Sequence, residues 1–142
     1  MIVAHILNQK GREVATIEPQ QTLTAAVSVL SGKKVGALVV AGSDLKIQGI
    51  ISERDVVKML GRTGPGCLND AVSKHMTAKV VTCAGDDTID EVMRRMTEGR
   101  FRHMPVERDG KLDGIISIGD VVKARLQQLA QESEALRAYI NG

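Results

Sequence analysis

The chain of 142 residues is 43% hydrophobic and 25% charged, with 19 Lys and Arg against 17 Asp and Glu. That balance suits one soluble globular domain and excludes a disordered or fibrous chain. Charges of both signs are interspersed to a net of +2, with one Phe, one Tyr and no Trp, so neither a broad basic face nor an aromatic stacking platform is available and nucleic acid is a poor candidate partner.

No apolar run approaches the roughly 20 residues that span a bilayer. Met1 to Lys10 lacks the basic start, long apolar stretch and small-residue cleavage site of a signal peptide. No membrane contact and a cytoplasmic location are expected. Cys67 and Cys83, 16 positions apart with no CxxC, suit reduced isolated thiols. With His5, His75 and His103 equally scattered, no metal centre is expected.

In chain order, Glu13 to Glu18 alternates and holds β-branched residues, predicting a short strand. Leu23, Ala26, Val27 and Leu30 then recur at helical spacing. Two apolar runs, Ala37 to Ala41 and Lys46 to Ile51, flank Gly42-Ser43-Asp44 as a hairpin, and Ser52 starts a second helix. Arg62 to Cys67, containing Gly64-Pro65-Gly66, reads as a linker. The series then repeats. Lys79 to Cys83 predicts a strand, Ile89, Val92, Met93 and Met96 a helix, Asp109-Gly110 a hairpin turn, and Ser117 a further helix start.

The repetition is explicit in residues. Gly49 to Lys58 and Gly114 to Lys123 agree at eight of ten positions at an offset of 65, and Thr22-Leu23 aligns with Thr88-Ile89 at 66. Such a period must be settled before any fold is assigned. The expected architecture is α+β, a β-α-β-β-α unit present twice, with the halves at 1–70 and 71–142. One unit buries too little apolar surface to be secure alone. Two copies packed about an approximate two-fold axis create two related clefts, each bordered by both copies.

Ser-x-x-Asp at 52 to 55 and at 117 to 120 supports two compatible readings. It is a capping box, with Ser accepting an amide three residues on and the acid suiting the helix dipole. It is also a site, since free amides at a helix start attract phosphate and an Asp carboxylate accepts both hydroxyls of a ribose. Asp55 and Asp120 would repel phosphate, so they are better placed to hold the sugar.

These residues carry a resemblance. The β-α-β-β-α repeat, both Gly-Ile-Ile-Ser-x-x-Asp endings, Val35-Gly36-Ala37-Leu38-Val39-Val40 and Arg102-His103-Met104-Pro105-Val106 resemble a tandem pair of CBS (cystathionine β-synthase) domains, a Bateman module, over nearly the whole chain. Val3 to Leu7, Lys10-Gly11-Arg12 and Leu136 to Ile140 are similar to small stand-alone bacterial members. The resemblance implies a regulatory protein without catalysis. It implies binding of an adenosine compound such as AMP, ADP, ATP, NAD or S-adenosylmethionine between the repeats, a disc-like homodimer, and signalling to a protein partner that the sequence does not identify.

By position, the resemblance implies one cleft joining Ser117, Gly119 and Asp120 to Ala15, Val35, Gly36 and Ala37. Its mate would join Ser52, Arg54 and Asp55 to Val81, Phe101, Arg102 and His103. On this basis cations stand on the Asp55 side only, so that cleft is expected to prefer phosphate-bearing nucleotides and the Asp120 cleft less charged adenosine groups. His103 is open to a packing role as well as ligand contact. Arg100 and Arg108 suit a solvated strand edge equally well, and Met93, Met96 and Met104 read most simply as core.

Other motifs fail on spacing. Ser31-Gly32-Lys33 lacks the earlier Gly and the following Ser or Thr of a phosphate loop, Gly114 to Gly119 is one residue off a nucleophile elbow, and no carboxylate cluster suggests a metal-assisted nucleotide hydrolase. Val122, Leu126, Leu129, Ser133, Leu136 and Ile140 form a coiled-coil-like stripe, read either as a helix on its own domain or as one packed on a second subunit. The alternative to a nucleotide sensor is a constitutive interaction adaptor with empty clefts, its Ser-x-x-Asp motifs serving as helix caps.

Overall fold

The computed structural model describes residues 1–141. Its helices are α1 (Val3–Lys10), α2 (Leu23–Lys33), α3 (Glu53–Thr63), α4 (Val72–His75), α5 (Ile89–Gly99) and α6 (Ile118–Asn141), and its strands are β1 (Thr16–Ile17), β2 (Ala37–Ala41), β3 (Ile47–Ser52), β4 (His103–Arg108) and β5 (Lys111–Ser117). The α+β duplication reaches the helix caps. Thr22 accepts the Ala25 amide at the start of α2 and Thr88 accepts that of Glu91 at the start of α5, both at 3.2 Å. Both helices end on a cationic residue in the left-handed region, Lys34 at φ 54° and Arg100 at φ 56°. Leu23, Ala26 and Leu30 of α2 are buried, as are Ile89, Val92 and Met96 of α5.

In the first repeat β1 runs parallel to β2, and β2 pairs antiparallel with β3. In the second, β4 and β5 form the same hairpin, turned by Asp109 at φ 53° and Gly110 at φ 76°, the paired positive φ of a type I′ turn. The strand expected over Lys79 to Cys83 contracts to one parallel bridge between Cys83 and Val106. Proline is the reason. The Val39 amide donates to the Ala15 carbonyl at 3.1 Å, but its counterpart in the second repeat is Pro105, which has no amide hydrogen to give. The Glu13 to Glu18 strand is likewise short, at Thr16–Ile17.

The two cores share chain. Val3, Ile6 and Leu7 of α1 pack into the second core with Ile89, Val92, Met96, Met104 and Ile116. Val72 of α4, with Met76 against it, enters the first core with Ile17, Leu23, Leu38 and Ile51. Backbone bonds hold both crossings in matching register: the Val3 amide donates to Asp87 O at 2.9 Å, and the Val72 amide to Gln21 O at 2.7 Å. Each repeat therefore borrows the leading segment of the other. The expected linker is part of this arrangement rather than an open tether. A helical turn at Pro65–Asn69 buries Cys67 in the first core.

Glycine at one position in each repeat makes the crossings possible. A Cβ on Gly114 would lie 2.7 Å from Leu7 Cδ2, and one on Gly49 would lie 2.5 Å from Met76 Sδ and 2.9 Å from the Thr77 carbonyl. All three distances are too short for carbon. Leu7 can rotate away, but the Thr77 backbone is pinned by two bonds with Ile50, at 2.9 and 3.0 Å. Gly49→Ala is expected to cost about 2–3 kcal/mol and Gly114→Ala about 1 kcal/mol, within the range for overpacked sites. Urea unfolding of both variants checks this; equal costs, or none, would show that the crossings tolerate a methyl group.

Candidate functional site

Both Ser-x-x-Asp motifs fold as the capping box expected from sequence. At α3 the Ser52 amide and hydroxyl donate to Asp55 Oδ2 at 2.8 and 2.9 Å, while the Asp55 amide donates back to Ser52 Oγ at 3.3 Å. At α6 the Ser117 amide donates to Asp120 Oδ2 at 2.9 Å and the Asp120 amide to Ser117 Oγ at 3.1 Å. One oxygen of each carboxylate is thus fixed. Among the described residues, Oδ1 of neither Asp accepts a hydrogen bond. Each helix also ties back to the strand entrance of its own repeat, by Glu53 N to Gly36 O at 3.0 Å and Ile118 N to Arg102 O at 2.8 Å.

The two motifs differ in one neighbour that the sequence reading missed. Lys10, at the end of the exchanged helix α1, donates to Asp120 Oδ2 at 2.6 Å and to the Ile115 carbonyl at 3.0 Å. The pair is partly shielded, with side chains 34% and 25% exposed. This corrects the expectation that cations stand on the Asp55 side only. A separation of 110 residues hid the pair, since only the helix exchange brings Lys10 to Asp120. Burial alone would push the Asp120 carboxyl up; hydrogen bonds from Lys10 and from the Ser117 amide, with the Lys10 charge, outweigh it and hold its pKa below the usual 3.8.

The repeats meet at Gly36. A Cβ there would lie 3.3 Å from Cε1 and Nε2 of His103 and 3.6 Å from Glu53 Oε1, so a histidine of the second repeat covers a glycine of the first. His103, expected beside Asp55, thus lies next to Gly36, a residue expected beside Asp120, with Glu53 of the Asp55 turn nearby. Burial, the largest influence, holds its pKa below the usual 6.5, and Lys10 and Arg102 act in the same direction, against Glu53 and Asp120.

The remaining sequence candidates divide by exposure. Ala15 and Val35 pack on the first core, Ala37 is buried at the start of β2, and Phe101 packs on the second core, so these offer chiefly backbone and apolar edges. Arg54, Arg102, Gly119 and Val81 are exposed. Arg54 and Arg102 make no ion pair among the described residues. Met96 and Met104 are core, with Met93 against them. Cys67 and Cys83 are free and buried, and burial pushes the Cys83 thiol up to about 12.

Among the described residues, no group of three or more His, Cys, Asp or Glu could hold a metal, and no helix is long and apolar enough to cross a membrane. The terminal stripe does not lie on its own domain. In α6 only Val121 and Ala124 are buried, while Val122, Leu126, Leu129, Leu136 and Ile140 are exposed.

The duplicated fold has counterparts among known proteins. The family profile of the CBS domain matches twice, at residues 5–62 and 72–127. A mitochondrial CBS-domain-containing protein of Arabidopsis thaliana is 36% identical over 148 aligned positions, covering 99% of this chain and 72% of its own. The crystal structure of a CBS-domain-containing protein from Agrobacterium tumefaciens is 47% identical with a TM-score of 0.84, covering 88% of this chain and 99% of that one. A further CBS domain pair, solved in complex with 5′-methylthioadenosine and S-adenosyl-L-methionine, shares the fold at a TM-score of 0.79 and 22% identity, covering 90% of this chain and 98% of that one.

His103 gives the seam a pH signature. Its folded pKa lies below 6.5, so the unfolded chain takes up the proton first, and stability is complete above pH 6.5 and falls as pH drops towards the folded value. Urea midpoints between pH 7.5 and 5 should fall more steeply for the native chain than for His103→Gln. Parallel slopes would place the ring in free contact with water.

Proposed function

Because the chain belongs to the CBS-domain family and carries the domain twice, we propose that it is a regulatory module, not an enzyme, which binds an adenosine nucleotide of the AMP, ADP, ATP or NAD type between its repeats. In this reading it works in the cytoplasm as a homodimer and signals to a protein partner through a ligand-dependent shape. One cleft takes Ser117, Gly119 and Asp120 with Ala15, Val35, Gly36 and Ala37. The other takes Ser52, Arg54 and Asp55 with Val81, Phe101, Arg102 and His103 at the shared seam.

The observation that carries the proposal is the half-used carboxylate. Each Asp is locked by Oδ2 to the amide of the Ser that precedes its helix, while Oδ1 is left without a partner among the described residues. An acceptor already oriented at a helix start loses little side-chain freedom when it takes up a sugar diol. The adjacent helix amides and the exposed guanidinium groups of Arg54 and Arg102 favour a negatively charged ligand group. The related pair that holds two adenosine compounds supports the choice of ligand class. The exposed Val57 of α3, with Val122 and Leu126 of α6, supports a second copy as the covering surface.

A ligand alters function only through different affinities for two states of the protein. Thermal unfolding with AMP, ATP and NAD tests the proposal. A ligand at a hundredfold excess over its Kd adds about 2.7 kcal/mol of stability, and Asp55→Ala and Asp120→Ala should each reduce the gain. Absence of any shift with every adenosine compound would favour the adaptor with empty clefts.

A further inference from the structure

Helix α6 runs on past the domain it belongs to. The CBS profile ends at residue 127, whereas the helix continues to Asn141, and every residue from Leu129 to Asn141 is exposed. About 20 Å of helix therefore projects without support from its own repeat. Earlier in α6, Val121 and Ala124 are buried and Arg125 turns to Asp90 of α5 at 3.8 Å. The apolar stripe lies off that face, with Leu126 62% and Ile140 70% exposed. An apolar groove of about 610 Å³ follows its first turns, bordered by Ile118, Val122, Leu126 and Ala130. A helix end of this length is marginal in water and gains stability chiefly by packing an apolar face.

We propose that the occupant of this groove is the α6 of a second copy, paired with it in parallel and in register. The inference rests on the reading of the chain as a homodimer and adds the seam and its direction. The seam follows from spacing: Val122, Leu126, Leu129, Ser133, Leu136 and Ile140 alternate steps of four and three, the a and d positions of a heptad repeat. The direction follows from charge. With Leu126, Ser133 and Ile140 at a, Lys123, Ala130 and Arg137 fall at e and Arg125 and Glu132 at g. Parallel helices set each g residue against the e residue five positions on in the partner. Glu132 then meets Arg137 of the second copy, twice by symmetry, while Arg125 meets only Ala130. Antiparallel helices set g against g and e against e, which would place Glu132 on Glu132 and Lys123 on Arg137. Neither Glu132 nor Arg137 has an ion-pair partner among the described residues of the single chain. The parallel pair thus satisfies both charges, and the antiparallel pair opposes like with like.

Sedimentation equilibrium of the full chain tests this. Leu136→Lys should weaken the dimer by about a hundredfold or more, since it removes a buried leucine from both helices. Glu132→Lys should weaken it roughly tenfold, and Glu132→Lys combined with Arg137→Glu should recover most of the loss. These side chains are exposed in the single chain, so the variants leave its two cores intact. Direction is read by Ile140→Cys, which should form a disulfide dimer under mild oxidation, while the native chain, whose two thiols are buried, should not. Cross-linking of Ile140→Cys only to a Leu126→Cys chain would overturn the parallel register. A dimer that Leu136→Lys leaves at native strength would overturn the seam while leaving the homodimer reading in place. A native chain that stays monomeric at every concentration reached would overturn both together.

Discussion

The close approach of Leu7 to Gly114, and of Met76 to Gly49, decides how the two halves of the chain meet. At each point a side chain from one repeat's leading segment occupies the space a Cβ would fill on the other repeat's hairpin. The backbone bonds from Val3 to Asp87 and from Val72 to Gln21 lock the same crossing. A unit of this size cannot fill a core from its own residues alone. By lending α1 to the second core and α4 to the first, the chain completes both, and the repeats cannot separate without opening two cores at once.

The site follows from that exchange. The Gly-Ile-Ile-Ser-x-x-Asp ending places in one run the glycine that admits the foreign helix and the Ser-Asp pair that caps the next helix. Core assembly and a polar cluster at the seam are therefore coupled within seven residues. The two seams are not identical electrically. Asp120 receives Lys10 from the exchanged helix, whereas among the described residues the Asp55 carboxylate is bound by its own Ser52 alone. Within the proposed function, this asymmetry gives the pair two ligand sites of unlike character on a symmetric frame, with His103 and Glu53 meeting at Gly36 between them.

Much of this was legible in the residues. The repeat, the helical spacing of Leu23 and Ile89, the Asp109-Gly110 turn and both capping boxes are local patterns, and local patterns survive folding when nothing tertiary opposes them. Three features were not. The second repeat's first strand was overread because a β-rich run does not reveal that its partner position is Pro105. The exchange of α1 and α4 was missed because a four-residue helix such as Val72–His75 carries no periodicity. Its register is also offset from that of the repeat: Ile2 bridges to Thr88 as Ala71 bridges to Thr22. Lys10 beside Asp120 follows from that exchange, and no reading of short-range spacing reaches it.

Within the proposed function, the free oxygen of each capping Asp is the acceptor for a ribose diol. A crystal structure of the chain with AMP tests it most directly. The 2′ and 3′ hydroxyls are expected within hydrogen-bond distance of Oδ1 of Asp120 or Asp55, with Oδ2 still on the helix cap. AMP bound elsewhere, with both carboxylates facing bulk water, would contradict it.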